Sequence, residues 1–225
     1  MYKYLIKNGK IIDGSGTPWF RGDIAIKDGE IAKIGKKISA KAEKIIDANG
    51  LVVSPGFIDI HTHSDLTLLV NGKAESKIRQ GVTTEVIGNC GSSPAPAYGV
   101  GSEYLKNQLN EYKLNYNWES YKEYLKVLEE ADISVNVVPL VGHGALRRSV
   151  LGYEQRKANS EEIKKMKELL KEALKAGARG FSSGLIYPPS SYADTEELIA
   201  LAKTAVKYGG IYTTHMRYEG EKLVE

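Results

Sequence analysis

From residue 57 onward, apolar runs of strand length alternate with stretches of helical period, and nothing else in the chain restricts its fold so strongly. The strand-like runs are residues 57–60, 82–87, 133–138, 179–184 and 211–215. Between them, helical spacing is expected near 74–79, over 118–130, from Ser160 to about Ala176, and from Thr195 to Tyr208. The third of these helices begins Ser-x-x-Ile rather than with a full capping box, but it carries two glutamates in its first turn and meets Gly177 at its end. Strands that alternate with helices at this interval imply parallel β/α units with right-handed crossovers.

Residues 1–54 have a different texture. Short apolar runs are broken by Gly, Asp and Asn, and Asp28-Gly29 sits between two alternating runs as a tight hairpin turn. This pattern predicts a small antiparallel, sandwich-like β domain, with a boundary at 54/55. Glu219 to Glu225 reads as the first turns of a further helix, so the expectation is that these 225 residues are the N-terminal part of a longer protein.

The first strand of the α/β region ends in an unusual way. Its sequence is Pro55-Gly56-Phe57-Ile58-Asp59-Ile60-His61-Thr62-His63, followed by Ser64-Asp65. Strand side chains alternate faces, so His61 and His63 point the same way and can share one metal ion. Cys90 follows the second strand in the polar turn Gly88-Asn89-Cys90-Gly91-Ser92, and His215 ends the fifth. Imidazole nitrogen and thiolate sulfur suit a borderline-soft ion such as zinc. A small buried thiol is the plain alternative for Cys90 taken alone, whereas a ligating thiolate could also bridge two ions. Candidate ligands thus end strands one, two and five. A closed barrel brings such distant strand ends to one C-terminal mouth, so the expected fold class is α/β, the N-terminal part of a (β/α)8 TIM barrel with about five of eight strands.

The motifs also carry a resemblance. The segment from Pro55 to His63 resembles the first metal motif of the amidohydrolase superfamily. The segments Gly81 to Gly91, Val141 to Arg147, Gly180 to Pro189 and Thr214 to Arg217 together resemble the N-acyl-D-amino-acid deacylases, or D-aminoacylases. Related cyclic amidases use a carboxylated lysine as bridging ligand, and a cysteine takes that role here. The resemblance implies a cofactor of one or two zinc ions and a small-molecule partner, an N-acylated D-amino acid cleaved to a carboxylate and the free D-amino acid. It also implies a tight metal site from Cys90, His215 and a further histidine, and a weaker site that adds His61 and His63. The further histidine and the general-base aspartate would lie beyond residue 225.

Three more residues are candidates for substrate binding. Tyr187 follows strand four at the rim, where it either meets substrate or packs its own loop against Pro188 and Pro189. His143, between Gly142 and Gly144, either faces the mouth or makes a structural hydrogen bond. Arg217 either receives a substrate carboxylate through its forked donors or pairs with Glu219. Asp59 and Asp65 flank the histidines and suit support of the rings rather than ligation.

Composition restricts the remaining possibilities. The chain has 31 basic and 28 acidic residues, mostly interleaved, for a net charge of +3, so no concentrated basic patch points to nucleic acid or a membrane surface. A single cysteine rules out an internal disulfide and fits a reducing compartment. The N-terminus lacks the apolar core of a signal peptide, and no apolar run reaches about 18 residues. A cytoplasmic enzyme is the expectation. The competing readings are a cyclic amidase of the dihydroorotase or hydantoinase type, which the absence of lysine in Phe181-Ser182-Ser183 disfavours, and a non-catalytic interaction protein on the same scaffold. Without the downstream carboxylate, the isolated 225-residue polypeptide should show no deacylase turnover, and any measurable release of D-amino acid from an N-acetyl-D-amino acid would refute this.

Overall fold

In the computed structural model, which describes residues 1–221 and 223, the chain separates into two compact units, Met1–Gly56 and Phe57–Glu225. The first holds one five-stranded sheet. Strands β1 (Tyr2–Ile11), β2 (Phe20–Lys27) and β3 (Glu30–Gly35) form an antiparallel meander. Asp28 and Gly29 turn between β2 and β3 with φ of 53° and 81°, the positive pair that a two-residue hairpin requires. The expectation of an antiparallel unit fails beyond these strands. β4 (Ala42–Asp47) and β5 (Val52–Val53) both pair with β1 in parallel, so the sheet is mixed. Leu5, Ala25 and Ile38 form its small core.

In the second unit the strands are β6 (Phe57–Asp59), β7 (Val82–Ile87), β8 (Asn136–Pro139), β9 (Val141–Gly142), β10 (Gly180–Gly184) and β11 (Ile211–His215). Every pairing is parallel, as the strand and helix alternation implies: β6 with β7, β7 with β8, β9 with β10, and β10 with β11. The third predicted strand starts three residues later than expected and is split at Leu140. Leu140 N–H still donates to the Ile87 carbonyl at 3.0 Å, while the Pro139 carbonyl accepts from Arg179 N–H at 2.9 Å, so this strand changes partner from β7 to β10.

The helices are α1 (Thr67–Val70), α2 (Glu75–Ile78), α3 (Val100–Glu111), α4 (Tyr121–Glu130), α5 (His143–Leu151), α6 (Ser160–Ala176) and α7 (Thr195–Val206). Helix α4 begins after Trp118, which is buried and donates its indole N–H to the Pro94 carbonyl at 3.0 Å. Helices α3 and α5 had no clear sequence signal, because glycines and polar residues interrupt their apolar spacing. The cap of α6 also differs from expectation: Asn159, one residue earlier, receives Glu162 N–H while the Glu162 carboxylate receives Asn159 N–H, a complete capping box. Met166, Leu170 and Leu201 from α6 and α7 pack with Phe181 of β10 and Ile87 of β7 in one core.

A charged group is embedded beside this core. Arg147 donates to Glu197 at 2.5 Å, and both side chains are almost fully buried. His143 Nε2–H donates to the other Glu197 oxygen at 2.8 Å, and its Nδ1 accepts the Ser190 hydroxyl at 3.0 Å. Burial lowers the His143 pKa more than Glu197 raises it, which favours the neutral ring. Burial alone would push Glu197 up, but the hydrogen bond from His143 and the neighbouring charges hold it below the usual carboxylate range.

Urea denaturation separates these contributions. Leu201→Ala should cost about 2–5 kcal/mol through the cavity it leaves, and Asn159→Ala about 1 kcal/mol through the lost cap. Glu197→Ala should cost about 3–5 kcal/mol, because it strands a buried guanidinium.

Candidate metal centre

His61, His63, Cys90 and His215 all lie just beyond or at the C-terminal ends of parallel strands. Thr62, between the first two, turns the opposite way: it is buried, and both its N–H, at 3.1 Å, and its hydroxyl, at 2.9 Å, donate to the Val86 carbonyl. The alternation leaves His61 and His63 exposed on one side, with ring centroids 5.4 Å apart. Their donor atoms and Cys90 Sγ all lie within 4.8 Å of one another. The closest pair is Cys90 Sγ and His61 Nε2 at 3.2 Å.

The turn that carries Cys90 is fastened from several sides. Cys90 itself adopts φ of 53°, in the left-handed region. The Asn89 amide donates to the Val86 carbonyl at 2.9 Å and to the Thr62 carbonyl at 3.3 Å, tying this turn to the histidine loop. Ser182 of β10 receives Gly91 N–H at 2.9 Å and donates to the Gly88 carbonyl. A Cβ on Gly88 would stand 1.9 Å from the Leu140 carbonyl oxygen, and one on Gly184 2.2 Å from that of Cys90. Only glycine fits at either place.

His215 stands apart from the three-donor group as the described structure is arranged. Its Nδ1–H donates to the Met216 carbonyl at 2.7 Å, which turns Nε2 outward between the Tyr187 hydroxyl at 3.4 Å and Glu219 at 3.3 Å. It remains near enough to act on His63, whose pKa is lowered first by burial and then by the His61 and His215 charges. Neutral imidazole is the form that can ligate. Burial pushes the Cys90 thiol up, with a smaller contribution from Glu219. Two imidazoles and one sulfur converging without a competing partner suit a zinc-type ion.

The other sequence candidates divide. Tyr187 is half exposed, with its ring centroid 5.3 Å from that of His215 in an edge-on arrangement. Arg217 is exposed, and Glu219 pairs with His215 rather than with it. His143 is a correction: it is fully buried with both ring nitrogens engaged, so it does not open onto the centre. Its neighbour Gly144 follows the same placement, with its N–H donating to the Gly91 carbonyl at 2.8 Å. Asp59 supports the His61 backbone N–H at 3.3 Å and pairs with Lys77 at 2.6 Å, and it touches neither ring. Asp65 is buried, with Oδ1 unpartnered, and burial pushes its carboxyl up to about 7. Sequence reasoning missed Asn89 as the tie between the two loops and Glu197 as the partner of His143. Only the polar turn around Asn89 offered a signal.

A family model described as the amidohydrolase family matches residues 44–219. The chain belongs to this family. Among curated relatives, this amidohydrolase is 44% identical over 223 residues to a D-aminoacylase of Alcaligenes xylosoxydans xylosoxydans, covering 99% of this chain and 46% of the relative. It is 40% identical over 222 residues to an N-acyl-D-aspartate deacylase of the same organism, covering 98% and 44%. The chain therefore spans about half the length of the curated relatives it matches. A solved D-aminoacylase structure superposes with a TM-score of 0.90 at 39% identity, over 100% of this chain and 47% of that one. The N-acyl-D-glutamate deacylase of Bordetella bronchiseptica, solved with zinc and a phosphonate inhibitor, superposes with a TM-score of 0.89 at 37% identity, over 99% and 46%. An L-hydantoinase of Arthrobacter aurescens, at 18% identity and a TM-score of 0.59, shares the fold. Among the described residues no helix is long and apolar enough to cross a membrane.

Asn89→Ala should leave the helices intact by circular dichroism and weaken divalent-metal affinity about 10–100-fold in competition with a chromophoric chelator, because the tie orients the ligand loops without ligating.

Proposed function

We propose that this amidohydrolase is the N-terminal portion of a zinc-dependent N-acyl-D-amino-acid deacylase, acting on small-molecule substrates in the cytoplasm. Residues 1–54 would be part of a sandwich-like domain, and 55–225 an incomplete (β/α)8 barrel. The observation that carries the reading is the cluster of His61, His63 and Cys90 donors within 4.8 Å, which offers a thiolate as a possible bridging ligand. The identity to D-aminoacylase and the TM-scores of the two deacylase structures support it.

His61, His63 and Cys90 would hold zinc, joined by His215 through its outward Nε2. The chemistry zinc supplies in such a donor set is polarisation of the amide carbonyl and a more acidic water. The proton given up by that water needs an acceptor, and the resemblance assigns this role to an aspartate beyond residue 225, which would return the proton to the leaving amine. Within the present chain, Met216 fixes the tautomer of His215 through Nδ1–H. The Tyr187 hydroxyl, 3.4 Å from His215 Nε2, is positioned to donate to a substrate oxygen at the same spot.

Elemental analysis should find zinc in the protein and its loss in Cys90→Ala. In a protein that also carries the downstream aspartate, a panel of N-acetyl-D-amino acids, their L-isomers, dihydroorotate and hydantoins should show turnover of the D-series alone. Hydrolysis of the cyclic amides instead would establish the cyclic-amidase reading, and absence of zinc would favour a non-catalytic protein.

A further inference from the structure

Ser190, His143 and Glu197 form an unbroken chain of hydrogen bonds. The Ser190 hydroxyl donates to His143 Nδ1 at 3.0 Å, and His143 Nε2–H donates to Glu197 Oε1 at 2.8 Å. Arg147 donates to the other carboxylate oxygen and fixes Glu197 from the opposite side. Burial favours the neutral His143 ring, in which Nδ1 is the basic nitrogen. Among the described residues the Ser190 hydroxyl accepts no hydrogen bond, so its lone pairs are uncommitted. All three side chains are buried, yet Ser190 also borders a cavity of about 350 Å³, which His63, Gly144, Arg148 and Tyr187 help to line.

A hydroxyl bonded to a neutral imidazole, whose other nitrogen is held by a carboxylate, is the arrangement that makes a serine nucleophilic. Either ring nitrogen can act as the base, provided that the other N–H is held. Gly144 leaves the serine uncovered, since a Cβ there would stand 3.2 Å from Ser190 Oγ and 3.4 Å from Arg148 Nη1. The same two distances place a guanidinium N–H in the part of the cavity next to the hydroxyl, available to a carbonyl oxygen that gains charge. We propose that Ser190 is the nucleophile of a second, metal-independent site that cleaves small carboxylic esters, with His143 as its base and Glu197 as the residue that positions His143. Ser190 Oγ bonds to the ester carbonyl carbon, its proton passes to His143 Nδ1, and the carbonyl π pair moves onto oxygen. Collapse breaks the bond to the alkoxy oxygen, which leaves with the His143 proton as an alcohol. Water then attacks the acyl-serine and gives a proton to His143, which returns it to Ser190 Oγ as the carboxylic acid departs. The cavity is at the small end of ligand sites, which suits a short acyl chain. This activity does not rest on the deacylase reading.

The test uses the protein as isolated and again with a chelator present, with p-nitrophenyl acetate as the ester and a fluorophosphonate as a covalent probe. p-Nitrophenolate should appear in a burst followed by steady release, at the same rate with and without chelator. The probe should lose fluoride to Ser190, and peptide mass spectrometry should find the adduct there. Ser190→Ala should remove the adduct and slow ester cleavage at least about 100-fold, and His143→Gln should slow acylation by a similar factor with Ser190 still present. An adduct on Cys90 or on a lysine overturns the proposal, as does ester cleavage that survives in a folded Ser190→Ala protein. Cleavage that disappears with the chelator overturns it too and assigns the ester to the candidate metal centre. Absence of both adduct and turnover leaves Ser190 as a structural partner of His143. If Ser190→Ala does not fold, as read by circular dichroism, the position of the adduct in the unaltered protein decides. An adduct on Ser190 without hydrolysis of any N-acyl-D-amino acid leaves this site standing while the deacylase reading falls.

Discussion

The arrangement of the candidate metal centre depends on how closely three backbone segments approach the turn that carries Cys90. The Asn89 amide holds the turn to the histidine loop, Ser182 holds it to β10, and the Gly144 N–H holds it to the start of α5. These are main-chain or short side-chain contacts, so they fix the backbone from which the sulfur projects. Cys90 holds its left-handed conformation within this set of bonds.

Helix α5 connects this turn to a buried charge arrangement one helical turn further on. His143 and Arg147 both reach Glu197 of α7, and His143 also accepts from Ser190 in the loop that follows Tyr187. A shift of α7 would therefore be felt at the loop bordering the cavity. Arg147 and Arg148 are consecutive on this helix but have opposite surroundings: one is neutralised within the protein, and the other is buried against an aromatic ring beside an open cavity.

Membership of the amidohydrolase family and the similarity to a D-aminoacylase stand beside a sulfur and imidazole donor set. The similarity to hydantoinases extends to the fold alone. In this chain β10 presents Phe181, Ser182 and Ser183, and Ser182 spends its hydroxyl on fastening the Cys90 turn.

The sequence by itself determined the alternation of strands and helices from residue 57 onward, because the periods of two and 3.6 residues are local properties of the chain. It also determined that His61 and His63 share a face, since strand alternation needs no knowledge of what lies opposite. It could not reveal that β4 and β5 run parallel to β1, that the third strand changes partner at Leu140, or that α5 forms at all, because these depend on neighbours distant in sequence. The same is true of the candidate site. His143 read as a mouth residue from its glycine neighbours, yet its surroundings are set by Glu197, 54 residues away. Asn89 reads as a loop residue until Thr62 is beside it. His215 was expected with the other donors, and tertiary structure instead turns it toward Tyr187 and Glu219. Residue type and spacing specify which groups can perform chemistry, but only packing decides which of them are left without an internal partner.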